Sequence, residues 1–264
     1  MANTQFTYEP IYSVLAHIYD TLMEDVNYED WADYIDQLIQ EHAPDAKNIL
    51  ELACGTGSVS LLLDDLDFYN LTSTDVSPTM IEKAREKAIK KGANVTFKTM
   101  DFLNIDLREE FDLVFMVFDS LNYLHSEEEI LKLHDQVARV IKPGGYFIYD
   151  FTTPRNSRKA IEYLHNEEGV SPNHYRYYRT SDFDAKENIH INEFEIEQLD
   201  KQHKNIEQRF VEVHRQKIYT LDQVLSIAEK TDFQIQGYYK GFTLQKADNR
   251  SLRITMVLQW QKTQ

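Results

Sequence analysis

The chain has 264 residues, 42% of them hydrophobic, which suffices for the core of one large domain, or of one domain with an insertion, and excludes a disordered chain. With 44 Asp and Glu against 28 Lys and Arg, the formal net charge is −16. Duplex binding draws its affinity from clustered Lys and Arg, so no DNA partner is expected. A single cysteine, Cys54, excludes an internal disulfide. The opening residues Met1–Thr7 lack a basic stretch followed by an apolar one, and no apolar run nears the ~20 residues of a membrane helix. The expectation is a cytoplasmic protein with no membrane partner.

From Tyr8 to Met23 the sequence is aromatic and weakly helical. Asn27 reads as an N-cap with Asp30 three residues on, and Trp31, Tyr34, Ile35, Leu38 and Ile39 follow at helical spacing as one apolar stripe. From Asn48 strand and helix alternate. A first strand over 48–53 runs into Cys54-Gly55-Thr56-Gly57, then a helix carrying Val59, Leu61, Leu62 and Leu63. Glycine tolerates positive φ and offers no Cβ, so such a turn lets a ligand approach the backbone. A second strand ends at Asp75, where a carboxylate can accept from ribose hydroxyls. Together these features indicate an adenosine-containing ligand on an open α/β sheet.

Ser77 caps the next helix with Pro78 at its first position, Met80, Ile81, Ala84 and Ala88 form its buried face, and Gly92 ends it. Val95–Thr99 is a third strand and Asp112–Phe118 a fourth, almost wholly apolar as for a strand covered on both faces. Ser126 and Glu129 form a capping box for a helix through Ile130, Leu133, Val137 and Ile141. Pro143-Gly144-Gly145 turns into a fifth strand, Tyr146–Phe151. Five parallel strands with intervening helices imply a doubly wound sheet.

Residues 165–218 break this rhythm. Asn173–Phe183, Asn188–Leu199 and Asn205–Tyr219 read as long antiparallel strands. Glu193, Glu195 and Glu197 alternate with Phe194 and Ile196 as a solvated face, and the phase change near Asn192 predicts a bulge. A second capping box, Thr220 with Gln223, opens a helix with Val224, Leu225 and Ala228, and Phe233–Lys240 and Leu252–Trp260 form a closing hairpin. The expected fold is α/β: a doubly wound, Rossmann-like, seven-stranded and mostly parallel sheet (46–164 and 219–264) with a C-terminal antiparallel hairpin and an antiparallel β insertion (165–218).

In Glu51-Leu52-Ala53-Cys54-Gly55-Thr56-Gly57, Asp75, Asp101-Phe102 and Lys142-Pro143-Gly144-Gly145 the chain resembles the class I S-adenosylmethionine-dependent methyltransferases. The resemblance covers 48–152 by motif and 219–264 by layout. It implies S-adenosyl-L-methionine as methyl donor. Glu51 would take the donor's ammonium, and Ala53, Gly55 and Gly57 would let the backbone pass close to its methionine and ribose parts. Asp75 would accept both ribose hydroxyls, Val76 and Met80 would flank the adenine, Asp101 would accept from its amine beside Phe102, and Phe118 would lie near the sulfonium. The opening residues 1–45, with Tyr12, Ala16, Tyr19 and Asp20, resemble the helical lid of small bacterial methyltransferases. The insertion resembles that of enzymes acting on amino acids or amino-sugars, which implies an acceptor lid. No Arg precedes Arg85, so Tyr12 or Tyr19, His17, or backbone N–H groups would meet the donor's carboxylate.

Methyl transfer from a sulfonium is an in-line displacement that depends mainly on orientation, and a base is needed only for an acceptor that arrives protonated. Candidates are Asp119 and His125 after the fourth strand and His174 in the insertion. The stretch Phe118-Asp119-Ser120-Leu121-Asn122-Tyr123 lacks the Pro-Pro-aromatic motif of exocyclic-amine DNA methyltransferases. The expected acceptor is a small molecule with a reactive N or O, with a protein or tRNA as the alternative. A nicotinamide-dependent oxidoreductase would carry Gly-x-Gly-x-x-Gly. It and a non-catalytic donor-binding module are the other two readings. His125, His134, His174 and His214 lack metal-ligand spacing, so no metal is expected. The cluster His174–Arg179, dense in aromatic and basic residues, covers a substrate or decorates a sheet.

Overall fold

The computed structural model describes residues 5–108 and 110–261. The parts of the expected lid and core at residues 1–4 and 262–264 lie outside the described residues. The chain begins with a short strand β1 (Thr7–Tyr8), a 3₁₀ turn at Leu15–His17 and a one-turn helix α1 (Tyr19–Leu22). Helix α2 (Tyr28–His42) starts where the Asn27 side chain accepts from the N–H groups of Glu29 and Asp30. Its stripe of Trp31, Tyr34, Ile35, Leu38 and Ile39 is buried.

The elements β2 (Asn48–Leu52), α3 (Ser58–Asp64), β3 (Asn70–Asp75), α4 (Pro78–Lys91), β4 (Thr96–Thr99), β5 (Phe111–Met116), α5 (Glu127–Ala138) and β6 (Ile141–Thr152) follow. Helix α6 (Pro154–Leu164) leads into β7 (Glu167–Ser171), β8 (Tyr175–Asp184), β9 (Ile189–Leu199) and β10 (Ile206–Lys217). The chain closes with α7 (Leu221–Ala228), β11 (Phe233–Lys240) and β12 (Arg253–Trp260).

The main sheet has the order β11-β12-β6-β5-β2-β3-β4. Strands β2 to β6 pair in parallel, while β12 runs antiparallel to both β6 and β11. Alternation along each strand splits the core into two layers. Ile49, Leu113, Phe115 and Ile148 pack with α2 and α3, and Leu50, Val114, Met116, Phe147 and Tyr149 pack with α5 and α7. The chain leaves β2 for β3 on one side and returns to β5 on the other. Ligands of open α/β sheets bind where the strand order reverses in this way, beyond the carboxyl ends of the strands. No helix among the described residues is long and apolar enough to cross a membrane.

A second, five-stranded sheet has the order β1-β10-β9-β8-β7, antiparallel except for the parallel β1–β10 pair. Two of its strands, β1 and β7, were not expected from sequence. Its inward residues Tyr177, Phe194 and Ile196 share one small core with Leu15 and Ile18 of the opening segment. The sheet and the opening segment are thus packed as one unit.

Several local expectations are corrected. Pairing of β9 is unbroken through Asn192, and the register shift lies between Ile206 and Gln208. His190, Asn192, Phe194 and Ile196 keep a strict period of two and are all buried. The apparent phase change arises because the inward face turns polar at His190 and Asn192. The fourth strand ends at Met116, since Phe118 and Asp119 adopt positive φ of 61° and 57°. The first ends at Leu52, where Ala53 turns at φ 54°. The fifth begins at Ile141, so Pro143-Gly144-Gly145 falls inside its span. The Ser126 hydroxyl accepts from the Glu129 N–H, but the Glu129 carboxylate takes the N–H of His125 rather than that of Ser126. The reciprocal box is complete only at Thr220 and Gln223.

Candidate active site

A cavity of about 220 Å³ opens at the carboxyl ends of β2 and β3. Its wall contains Tyr12, Tyr19, Glu51, Ala53, Gly55, Asp75, Val76, Met80, Asp101, Phe102 and Phe118. Gly57, expected with them, is not in the wall. A Cβ there would lie 2.7 Å from Phe97 Cε1 and 3.1 Å from Ala84 Cβ. Gly57 caps α3 with φ 76° and lets the helix start press onto β4 and α4. At Gly55 (φ 54°) the nearest side-chain atom to a Cβ would be Tyr19 Cε1, at 3.8 Å.

Three carboxylates, Glu51, Asp75 and Asp101, stand in this otherwise largely apolar wall. Asp75 ends β3 with each oxygen accepting one backbone N–H, from Gly55 and from Ser77, both at 2.9 Å. A carboxylate oxygen offers two lone pairs, so both oxygens retain acceptor capacity. Burial raises the Asp75 carboxyl above its ordinary value, against those two N–H groups. Glu51 is 2% exposed and accepts the Ser60 hydroxyl, which lies 2.6 Å from that of Ser73. Burial pushes its carboxyl up to about 8; the Ser73 hydroxyl opposes the shift and Asp75 adds to it. Asp101 is exposed and takes the Leu103 N–H at 2.8 Å on one oxygen. Burial raises the Cys54 thiol far above its ordinary value, so it is no nucleophile.

Aromatic rings close the cavity. Phe118 stacks on Trp31 with centroids 4.2 Å apart and leans on Tyr28 at 5.4 Å, while Tyr12 meets Tyr19 edge-on at 6.0 Å. Tyr12, Tyr19, Phe118 and Tyr123 also line a second cavity, of about 420 Å³, so the two spaces share a wall. The rest of this second wall comes from the opening segment, α6, the inward faces of β8 to β10, and the start of β12. Its polar members include Asp119, Asn156, Arg179, His190, Asn192, His214 and Arg253.

Asp119 therefore lies in the second cavity, ion-paired with Arg253. The same guanidinium binds the fully buried Asp150 and sits 5.2 Å from the Trp31 ring. The other two candidate bases line neither cavity. His125 is exposed, its Nε2 3.0 Å from the Arg215 carbonyl, because the 3₁₀ turn at Ser120–Tyr123 aims Tyr123 inward and carries His125 past the rim. His174 pairs with His203 at 2.6 Å at the outer end of the second sheet. His17 stacks on Tyr175 at 5.5 Å instead of facing the first cavity. In the His174–Arg179 cluster the strand alternates: Tyr177 and Arg179 face inward, and Arg176 pairs outward with Glu197.

Sequence reasoning missed a group of polar side chains beside the second cavity. Glu212 of β10 is wholly buried and accepts the N–H groups of Tyr12, Val14 and Leu15 at 2.7, 2.6 and 2.9 Å. It also takes His214 Nε2 at 3.3 Å. Burial alone would raise its carboxyl, but His214 and the N–H groups of Leu15 and Val14 hold it below the ordinary value. His214 Nδ1 lies 3.0 Å from the Tyr123 hydroxyl, which lies 2.6 Å from that of Tyr12. The available signal was that Glu212 and His214 share the parity of Phe210, which places them on one face of their strand. Among the described residues no three His, Cys, Asp or Glu are grouped to hold a metal ion.

Residues 49–145 match the family model described as a methyltransferase domain. The chain is 28% identical to the methyltransferase-like protein YqeM of Bacillus subtilis (strain 168), over 96% of this chain and 98% of that one. It is 27% identical to the dTDP-4-amino-2,3,4,6-tetradeoxy-D-glucose N,N-dimethyltransferase of Saccharopolyspora spinosa, over 56% of this chain and 57% of that one. Among solved structures it is similar to an S-adenosylmethionine-dependent methyltransferase from Clostridium acetobutylicum ATCC 824, with a TM-score of 0.75 and 25% identity, over 94% of this chain and 98% of that one. The fold and these likenesses define a methyl-transferring enzyme. The family-model match over 49–145 and these likenesses support a class I S-adenosylmethionine-dependent methyltransferase.

Proposed function

We propose that this enzyme moves the methyl group of S-adenosylmethionine to a nitrogen or oxygen of a small polar molecule. The observation that carries the reading is the pair of adjoining cavities. One is largely apolar with three carboxylates, the other polar and covered by the second sheet, and they meet at Tyr12, Tyr19, Phe118 and Tyr123. The first fits the donor by its chemistry: an ammonium for Glu51, a vicinal diol for the spare lone pairs of Asp75, and an amine for the open oxygen of Asp101. Ala53 and Gly55 form the turn beneath it, Val76 and Met80 flank the base beside Phe102, and the rings of Tyr12, Tyr19 and Phe118 suit a cation. Bound S-adenosylmethionine supplies an activated methyl group. The protein's part is to orient an acceptor and to exclude water.

In this reading the opening segment (1–45) and the insertion (165–218) are lids over the core (46–164 and 219–264), and the insertion roofs the acceptor. A cavity of about 420 Å³ suits a small molecule better than a nucleic acid or a folded protein. The S. spinosa relative is named for a sugar amine, which makes amino-sugars the first acceptors to try. Asp119, tied to Arg253, would position the acceptor rather than take its proton. The test is release of S-adenosylhomocysteine with amino-sugars, amino acids and hydroxylated small molecules. Turnover with one of them is expected. Transfer to tRNA or protein alone would overturn the assignment.

A further inference from the structure

Four side chains make a directed line from both cavities to a buried carboxylate. Glu212 accepts from His214 Nε2, so the imidazole carries its proton there and leaves Nδ1 free to accept. The Tyr123 hydroxyl then donates to His214 Nδ1, and that of Tyr12 donates to Tyr123. The outer end of the line is the oxygen of Tyr12, in the wall shared by the two cavities. Burial raises both tyrosine hydroxyls, so neither ionises on its own at neutral pH and each can only pass a proton on. His214 is 2% exposed, with Glu212 on its own strand, Tyr12 from the opening segment and Tyr123 from the turn after β5. Arg179, His190, Asp119 and Arg253 face it across the cavity.

We propose that His214, set in one tautomer by Glu212, receives through Tyr123 and Tyr12 the proton that an amine acceptor must lose. The inference rests on the small-acceptor reading above. An amine arriving as ammonium gives one N–H proton to the Tyr12 oxygen. Tyr12 passes its own to Tyr123, and Tyr123 passes its own to His214 Nδ1, which leaves imidazolium against the Glu212 carboxylate. The nitrogen lone pair so freed forms the N–C bond to the methyl carbon while the C–S bond breaks and its electron pair stays on sulfur. The imidazolium later returns its proton to solvent by the same line.

The test has two arms. In the complex with S-adenosylhomocysteine, nitrogen NMR of labelled histidine, assigned with His214→Asn, should show His214 protonated at Nε2. A ring protonated at Nδ1 overturns the relay. With the acceptor found in the panel, His214→Asn and Tyr123→Phe should lower kcat about 100-fold near neutral pH. The affinity for S-adenosylhomocysteine should stay within about twofold of the parent, which also shows that the variants fold. Their rate should recover as the pH passes the acceptor's own pKa, because a free amine has no proton to shed. Full rate at neutral pH, or a loss that stays constant with pH, overturns the proposal. If the panel yields no small acceptor, the small-acceptor reading falls, and the His214 tautomer then decides for or against the relay.

Discussion

The carboxylate of Glu212 accepts the backbone N–H of Tyr12 at 2.7 Å across 200 residues of sequence, and so fastens the opening segment to the second sheet. The same carboxylate takes two further backbone N–H groups and one imidazole N–H. Tyr12 in turn stands in both cavities. The position of a residue in the wall of the first cavity is therefore set by an acid on a strand that borders the second.

Replacing Glu212 by Ala should leave those buried N–H groups without an acceptor. The expected loss is about 2–4 kcal/mol of stability, measured by urea unfolding, with weaker binding of S-adenosylmethionine by calorimetry. Its folded pKa lies below the unfolded one, so the contribution is present above the ordinary Glu value and is lost as pH falls through the folded value. The parent should therefore lose stability faster than Glu212→Ala on acidification below about pH 4.

Glu51 has the opposite sign. Its folded carboxyl titrates at about 8, so between the ordinary carboxylate value and pH 8 the folded empty protein holds a proton that the unfolded chain has lost. Stability should decline as pH rises through that window, and Glu51→Gln should flatten the decline. A donor ammonium favours the charged carboxylate. Affinity for S-adenosylmethionine should rise over the same window, with a proton released on binding. Calorimetry in two buffers of different ionisation enthalpy reads this directly, and a binding enthalpy independent of buffer would remove Glu51 from contact with the ammonium.

Asp75→Ala should weaken S-adenosylmethionine binding by about 2–3 kcal/mol through lost charge-assisted hydrogen bonds. The same change frees the N–H groups of Gly55 and Ser77. Asp75→Asn, which keeps one acceptor oxygen, should lose less. Unchanged affinity in both variants would take Asp75 out of the site.

Gly57→Ala should act on packing rather than on ligand. The new methyl would collide with the Phe97 ring, and the positive φ adds strain, for a loss of about 1–3 kcal/mol. Donor affinity of the folded variant should be close to the parent's. Gly55→Ala, where a Cβ has room but φ is positive, should cost less stability and more affinity.

The core strands were legible because they obey local rules. Apolar runs bounded by acids, and by glycine after β2, gave β2, β3 and β5, and caps at Asn27, Ser77 and Thr220 gave helix starts at the observed residues. Glu51, Ala53, Asp75 and Phe118 of the first cavity sit at or just past strand ends, and strand ends can be read from a sequence. The second cavity could not be read in this way. Its wall is drawn from segments far apart in the chain, and His125, near the site in sequence, is carried away by one 3₁₀ turn. The bulge expected at Asn192 had the same origin: an inward polar residue looks like a change of phase when the cavity it faces is unseen.

Sequence alone determined the alternating α/β core, the glycine turn after Glu51 and the acid that ends β3, because hydrophobic period, caps and turn residues act within a few positions of one another. Tertiary structure decided that Glu212, His214, Tyr123 and Tyr12 meet, that Arg253 holds both Asp119 and Asp150, and that Gly57 serves packing. Those contacts join segments far apart in the chain. Their partners are chosen by how the sheets pack, which no local pattern encodes.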